Sequence, residues 1–219
     1  MYTGEGMRSL RKRSKTDLVY EEIKKLILRG ELSSDTPISE NHLARRFEIS
    51  RTPIREALKR LHMEGFVRII PNQGVSVRDV SINEVKDIYD LRIALEEFVI
   101  KELTDTLSQD DLSLLEGNLA RQEEALLKND AFAFHEEDRN FHDYFMKVYG
   151  NAMITDFITN LRDRIEGINI NMLKQPGNMR LFWGEHKKIL EALHKRDAEG
   201  ATREMDEHLK GGKDRLLRG

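Results

Sequence analysis

The feature that most constrains this chain is the segment from Glu40 to Gly74, in which helix and strand signals follow one another closely. The pattern predicts a short helix over 40–47, a longer helix over 51–64 and then a two-stranded hairpin. Pro53 falls in the first turn of the longer helix, where its missing N–H group costs nothing. The segment therefore predicts a helix-turn-helix followed by a hairpin wing.

The longer helix separates apolar and basic side chains onto two faces. The predicted buried face consists of Ile54, Ala57, Leu58 and Leu61, and the predicted outward face of Arg51, Arg55, Lys59 and His62. Basic helix faces are ordinarily just solvated surface, but at the N-terminal end of such a helix they suit the major groove of DNA. Arg51 or Arg55 can bond guanine O6 and N7, a contact worth about 1–3 kcal/mol against a wrong base.

Further elements flank this pair of helices. Asp17 is the predicted N-cap of a first helix over 18–29. Strands are predicted over 66–70 and 75–80, with Pro71-Asn72-Gln73-Gly74 as the turn between them. A wing of this kind can rest on the phosphate backbone or enter the minor groove.

Composition excludes several classes of protein. No apolar run approaches the roughly 18 residues that a membrane span needs. The basic N-terminus lacks the apolar core of a signal peptide. We therefore expect a cytoplasmic protein with no membrane partner. The chain has no cysteine, which excludes disulfides and thiolate ligands. Any metal must therefore be held by His, Asp or Glu.

Charge divides the chain into two parts. Residues 1–80 carry 16 Lys and Arg against 11 Asp and Glu, a net charge of +5, whereas residues 81–219 carry 20 against 28, a net charge of −8. Chance variation of surface charge can produce such a difference, but it also suits a DNA-binding head on an acidic body. We expect a flexible basic arm over 1–15, a winged helix-turn-helix over 16–80 and an all-helical domain over 81–219.

The second part shows only helical periodicity. Six helices are predicted, over 81–104, 109–128, 130–149, 151–174, 178–196 and 197–216. Short links between amphipathic helices predict an antiparallel bundle. The expected fold class is thus mainly α, with an N-terminal winged helix-turn-helix and a C-terminal all-α bundle.

Four side chains of the bundle could form a metal site. Asp138 and His142 are spaced i, i+4, and His186 and His208 lie on two later helices. A histidine on a helix is more often exposed or a satisfied core residue, so spacing alone leaves both interpretations open. Three histidines and one carboxylate suit Zn²⁺ as the default ion, with Ni²⁺, Mn²⁺ or Fe²⁺ also compatible. His135, His194 and Asp143 are predicted to lie outside the site, the two histidines on the surface.

The first part of the chain resembles a known family. The sequence SENHLARRFEISRTPIREALKRLHMEGFVRIIPNQGVSV resembles the winged helix-turn-helix of GntR-type bacterial transcription regulators. The resemblance implies that DNA is contacted by Arg45, Arg51, Thr52, Arg55 and Gly74. The usual Pro-Gly turn before the second helix is replaced by Ser-Ser-Asp-Thr-Pro, which affects a loop and leaves the residues that read DNA intact.

The second part, over about residues 83–212, resembles the FCD ligand-binding domain of the FadR-like branch of these regulators. The motifs are Asp-x3-His, Glu-His-x2-Ile and Ala-x3-Met-x2-His-Leu. They imply metal ligation by Asp138, His142, His186 and His208, with a small organic acid, often a sugar acid or hydroxy acid, on the open positions of the metal. Arg92 would bind the effector carboxylate, and Arg164 and Asn169 are weaker candidates for effector binding. Arg92 can equally pair with Glu96, and Glu96 and Glu97 are expected on the helix surface or in a dimer contact.

Three functions are compatible with these patterns. The leading hypothesis is a ligand-responsive transcription regulator, and we expect it to act as a repressor. It would bind a pseudo-palindromic operator in double-stranded DNA as a homodimer. When bound to DNA, it would be associated with the nucleoid. A metal-dependent hydrolase that uses the three histidines and Asp138 is the alternative from another class. An architectural DNA-binding protein with no small ligand is the third.

Overall fold

The computed structural model describes residues 14–32, 37–70 and 74–218. They form two compact units, one that extends to Arg78 and one that begins at Asp79. The basic arm predicted over residues 1–15, the departing loop before the second helix and the turn at Pro71-Asn72-Gln73 lie wholly or mostly outside the described residues.

The described residues of the first unit form three helices and a hairpin. Its elements are α1 (Lys15–Leu28), α2 (Glu40–Arg46), α3 (Arg51–Met63), β1 (Val67–Ile70) and β2 (Gly74–Val77). The strands pair antiparallel, with Val67 opposite Val77 and Ile70 opposite Gly74. Each of the predicted helices and strands is present, so the winged helix-turn-helix architecture is confirmed.

The N-terminus of α1 differs from the prediction. Ser14, not Asp17, is the N-cap, and its side chain accepts a hydrogen bond from the backbone N–H of Asp17 at 3.1 Å. The Asp17 carboxylate accepts in return from the backbone N–H of Ser14 at 3.1 Å. The predicted cap was therefore wrong by one turn: Asp17 is the acidic partner in a reciprocal capping box.

The core of the first unit lies between α1 and α3. Ile54, Ala57, Leu58 and Leu61 are all buried, as the periodicity of α3 predicts. Ile23 of α1 is also fully buried, and α1 packs directly against α3. The opposite face of α3 is thereby left to solvent with its basic side chains.

The second unit is an all-helical bundle. Its helices are α4 (Ile82–Leu103), α5 (Gln109–Leu127), α6 (Ala131–Tyr149), α7 (Ala152–Leu173), α8 (Asn178–His194) and α9 (Ala198–Arg218). All six agree with the predicted helices to within two residues at each end. Over the described residues, no helix is long and apolar enough to cross a membrane.

Short polar side chains define where these helices begin. Ser81 and Ser108 cap α4 and α5, and Asp130 and Asn151 cap α6 and α7, each by accepting from backbone N–H groups of the first turn. Gly150 ends α6 in the left-handed region, at φ +76°, where a side chain would be strained.

The hydrophobic core of the bundle fixes the helices that carry the predicted metal ligands. Phe141 and Phe145 of α6 are fully buried, and they belong to one apolar cluster with Ile189 of α8 and Leu209 of α9. Because each of these residues lies within three positions of a predicted ligand, the same packing that stabilises the bundle also sets the position of the ligands.

Replacement of Phe145 by Ala tests this packing. The side chain is completely buried, so its loss should lower the free energy of unfolding of the helical unit by about 3–5 kcal/mol. The control Met153→Ala removes a side chain that is 83% exposed and should change it by less than about 0.5 kcal/mol. Urea unfolding monitored by circular dichroism measures both, and equal effects would contradict the assigned core.

Candidate functional site

The bundle brings the four predicted metal ligands together. Asp138, His142, His186 and His208 each offer one ligand atom, and these atoms all lie within 4.8 Å of one another. The three histidines are buried, whereas the side chain of Asp138 is partly exposed. Three different helices thus supply one compact cluster, as the sequence predicts.

The ring nitrogens that meet in the cluster have the spacing of ligands around one ion. Nε2 of His208 lies 3.0 Å from Nε2 of His142 and 3.3 Å from Nε2 of His186. Nε2 of His186 lies 3.5 Å from Oδ1 of Asp138. A metal bound at about 2.0–2.1 Å by such atoms separates neighbouring ligands by about 3.0–3.4 Å. These three separations are therefore close to those of donor atoms around one divalent cation.

The other ring nitrogen of each histidine is held by an acceptor. Nδ1 of His142 lies 2.6 Å from the Glu96 carboxylate, Nδ1 of His186 lies 2.8 Å from Oε1 of Gln122, and Nδ1 of His208 lies 3.0 Å from the Glu185 carboxylate. These oxygens can only accept, so each Nδ1 carries the hydrogen and each Nε2 keeps its lone pair.

The orientation of Gln122 is itself fixed. Its amide nitrogen donates to Oδ1 of Asn118 at 2.7 Å, and the amide nitrogen of Asn118 donates to the backbone carbonyl of Glu137 at 2.9 Å. This chain of donors turns Oε1 of Gln122 toward His186. Gln122 was not predicted from the sequence, since only the packing of α5 against α8 places it there.

Three imidazole lone pairs that face one another repel unless a positive charge lies between them. Burial lowers the pKa of His142, and burial together with the neighbouring rings of His208 and His142 holds the pKa of His186 well below its usual range. Burial thus disfavours protonation of His142 and His186, whereas a divalent cation could bind all three lone pairs at once.

Glu96 lies at the centre of the charge network around the cluster. Its carboxylate accepts from Nε of Arg92 at 2.8 Å and from Nη2 of Arg162 at 3.2 Å, besides its contact with His142. Burial alone would raise the pKa of Glu96, but the two guanidinium groups and His142 hold it well below its usual range. Glu96 is fully buried, so its predicted place on the helix surface or in a dimer contact was wrong.

The Arg92–Glu96 pair predicted as an alternative for Arg92 is present, since the i, i+4 spacing places both side chains on the core-facing side of α4. Glu97 is only partly buried, and burial and a hydrogen bond with Asp206 raise its pKa. The neighbouring residues Glu96 and Glu97 therefore differ in burial, although the sequence analysis predicted the same environment for both.

A small cavity adjoins the cluster. Its volume is about 20 Å³, close to the space of a single water molecule, so a larger ligand requires lining side chains to move. Polar lining comes from Tyr89, Arg92, His135, Asp138 and Asn169, and apolar lining from Met172, Phe182 and Leu209. Arg92 and Asn169 thus lie where an effector would meet the cluster.

The structure also shows the environments of three further residues for which the sequence analysis made predictions. Arg164 does not line this cavity; its guanidinium pairs with Glu84 instead. His135 was predicted on the surface, which was wrong, because it is buried and lines the cavity. His194 is exposed as predicted, with Nε2 3.0 Å from Glu116.

The predicted DNA-contacting residues lie on the surface of the first unit. Arg45, Arg51, Thr52 and Arg55 are exposed, and Gly74 is exposed at the start of β2 with a φ of +102°, a conformation that favours glycine. Among the described residues, no atom other than those of its chain neighbours lies within 4 Å of where a Cβ of Gly74 would be.

Glu40 organises the basic end of α3, a role the sequence did not reveal. One Glu40 oxygen lies 3.0 Å from Nη2 of both Arg51 and Arg55, and the other lies 3.2 Å from Nε of Arg55. Hydrogen bonds from Arg55 and Arg51 lower the pKa of Glu40. Both guanidinium groups remain more than half exposed, so they are oriented while still accessible.

Family models match nearly all of the described chain. The model of the FCD domain matches residues 87–211, and the model described as bacterial regulatory proteins of the gntR family matches residues 15–77. The two matches fall one in each compact unit.

Similar proteins include two named repressors. The chain is 28% identical to the HTH-type transcriptional repressor RspR of Escherichia coli K12 over 87% of this chain and 84% of RspR. It is 29% identical to the gluconate operon transcriptional repressor of Bacillus licheniformis over 78% of this chain and 69% of that repressor.

Solved structures show the same fold. McbR/YncC of E. coli superposes with a TM-score of 0.78 at 23% identity, covering 94% of this chain and 98% of that one. A GntR regulator from Rhodococcus sp. RHA1 superposes with a TM-score of 0.80 at 19% identity, covering 94% and 99%.

Substitution of Glu96 by Gln tests the buried charge network. The change keeps the size of the side chain but leaves the guanidinium groups of Arg92 and Arg162 without their shared counter-charge, so the free energy of unfolding should fall by about 3–5 kcal/mol. Glu123→Gln, at an exposed position of α5, is the matched control and should have little effect. Chemical unfolding of both variants is the measurement, and a Glu96→Gln variant as stable as the control would contradict this description.

Proposed function

The chain belongs to the GntR family of bacterial regulatory proteins and carries an FCD domain, and on this premise we propose that it is a repressor whose operator binding is controlled by a small organic acid bound at a metal centre. The members of this family are transcription regulators that bind DNA operators. The hydrolase alternative is therefore discarded, because the histidine cluster belongs to the regulatory domain of a transcription factor.

The observation that carries the proposal is the convergence of three buried Nε2 lone pairs on one point. His142, His186 and His208, together with Asp138, would hold the ion. Nitrogen and carboxylate donors suit Zn²⁺ best by ligand type, while Ni²⁺, Mn²⁺ and Fe²⁺ are compatible. When bound, such an ion supplies Lewis acidity and open positions for a carboxylate oxygen.

The residues beside the cluster support a carboxylate as the effector. Arg92 lines the cavity next to Asp138, and a guanidinium is well matched to a carboxylate. Asn169 lines the same cavity and accepts from the Tyr89 hydroxyl at 3.3 Å. One similar protein is named a gluconate operon repressor, and gluconate is itself a hydroxylated carboxylate.

The exposed side chains of the first unit support direct reading of an operator. Arg51 and Arg55, oriented by Glu40, would bond base edges in the major groove, and Arg45, Thr52 and the wing at Gly74 would position the domain on the backbone. A homodimer of the FadR-like type, with two half-sites in a pseudo-palindromic operator, is the arrangement we propose.

Control of DNA binding requires that the effector prefer one of two states of the protein. One state binds the operator and the other does not. An acid that binds the second state more tightly than the first lowers the affinity of the protein for its operator. At saturating acid, the largest possible decrease equals the ratio of the acid's affinities for the two states. Repression relieved by the acid is the direction we propose, in keeping with the two similar proteins named as repressors.

Loss of Arg55 tests the operator contact. An operator selected from a random DNA library should bind the Arg55→Ala protein about 5- to 150-fold more weakly, the equivalent of about 1–3 kcal/mol, with relaxed specificity at one base pair. Lys128→Ala removes an exposed positive charge from the second unit and serves as the control. Fluorescence anisotropy at fixed salt measures both, and equal affinities would contradict the assignment.

Loss of His208 tests the metal centre. The unsubstituted protein, reconstituted with Zn²⁺ and desalted, should carry about one ion per chain and unfold at a lower temperature after chelation. His208→Ala removes the nitrogen nearest both other histidines, so metal content and the effect of chelator should fall together.

His194→Ala, which removes an exposed histidine from the end of α8, is the matched control. It should retain the ion and the chelator response. An unsubstituted protein that binds none of Zn²⁺, Ni²⁺, Mn²⁺ or Fe²⁺ would refute the metal centre, whereas its binding to the operator would still identify a DNA-binding regulator.

A further inference from the structure

His135 is a buried polar side chain for which the described residues provide no partner. It lies on α6, one turn before Asp138, and only 8% of its surface is exposed. Neither Nδ1 nor Nε2 has a hydrogen bond within the part of the chain that the structure describes. A buried polar group that lacks a partner destabilises a protein, so a side chain of this kind is expected to have a role that needs it.

The position of His135 indicates what that role is. His135 lines the cavity beside the metal-ligand cluster, together with Arg92, Asp138 and Asn169, and the same four residues also line an adjoining smaller cavity. His135 is not one of the four clustered ligands. It therefore faces the space that an effector anchored at the cluster would enter.

The chemistry of a neutral imidazole limits what it can recognise. Burial lowers the pKa of His135 and so favours the neutral ring, which has one N–H donor and one lone-pair acceptor. A carboxylate can only accept and an alkyl chain can do neither. A hydroxyl group both donates and accepts, so it can satisfy a neutral histidine from either side.

We propose that His135 is a specificity-determining residue that hydrogen-bonds a hydroxyl group of the effector, and so selects hydroxylated acids over the corresponding unsubstituted acids. This inference rests on the proposed function, since it requires an acid bound beside the cluster. His135 is not part of the metal-ligand motif, and its proposed role differs from that of Arg92, which is predicted to bind the carboxylate.

Matched pairs of acids test the proposal on the full-length, zinc-reconstituted protein. Lactate is compared with propionate, and gluconate with hexanoate, because each pair shares a carboxylate and a chain length and differs in hydroxyl groups. Dissociation constants come from the rise in unfolding temperature with acid concentration. For at least one pair we expect the hydroxylated acid to bind the unsubstituted protein at least about fivefold more tightly, the value of one hydrogen bond.

Two substitutions at position 135 separate recognition from structure. His135→Leu should abolish the preference for the hydroxylated acid, while His135→Gln, which keeps a donor and an acceptor, should restore part of it. Without any acid, His135→Leu should unfold at a temperature equal to or higher than the unsubstituted protein, because it removes a buried polar group without a partner. Zinc content should stay unchanged in both, and His194→Leu should behave as the unsubstituted protein does.

The possible failures can be told apart. If acids bind but His135→Leu keeps the full preference for hydroxyl groups, the role of His135 is refuted and the proposed effector site stands. A large drop in the unfolding temperature of ligand-free His135→Leu would also refute it, since the histidine would then be a structural residue. If none of the four acids stabilises the unsubstituted zinc protein, both the acid class and this inference are overturned.

Discussion

The regulatory unit depends on the way three imidazole rings are held. Each of His142, His186 and His208 donates its Nδ1 hydrogen to an oxygen of a neighbouring helix and turns its Nε2 lone pair toward the other two rings. The acceptors come from α4, α5 and α8, so most of the bundle is involved in orienting the cluster. A cation among the converging lone pairs, as we propose, would relieve their mutual repulsion in this buried site. Metal binding and the stability of the bundle are therefore expected to be linked.

The same network connects the cluster with the cavity that we propose for the effector. Glu96 contacts a clustered histidine on one side and Arg92, which lines the cavity, on the other. A carboxylate that competes for Arg92 would change the charge balance at Glu96, and with it the environment of His142. If the proposed effector site is correct, charge would thus link an incoming acid to the helices that carry the four clustered side chains.

Much of this could be predicted from sequence because helical periodicity fixes which side chains share a face. Asp138 and His142 lie four residues apart on α6, and this spacing alone predicted that both lie on one side of the helix. In the same way, the apolar positions of α3 predicted which of its arginines are exposed. Glu96, His135 and Glu40 could not be placed in this way. Their environments depend on which helix packs against them, and single-helix spacing carries no information about that partner. A glutamate and a histidine on long amphipathic helices are ordinarily solvated, so the exceptions appear only in three dimensions.

X-ray absorption spectroscopy at the edge of the bound metal tests the central claim most directly. The account predicts a first coordination shell of three nitrogens and at least one oxygen at about 2.0–2.1 Å, with the outer-shell scattering that imidazole rings produce. A spectrum without imidazole scattering would mean that the ion binds elsewhere. Three histidines with facing lone pairs would then need another explanation, and the effector site built upon them would be contradicted.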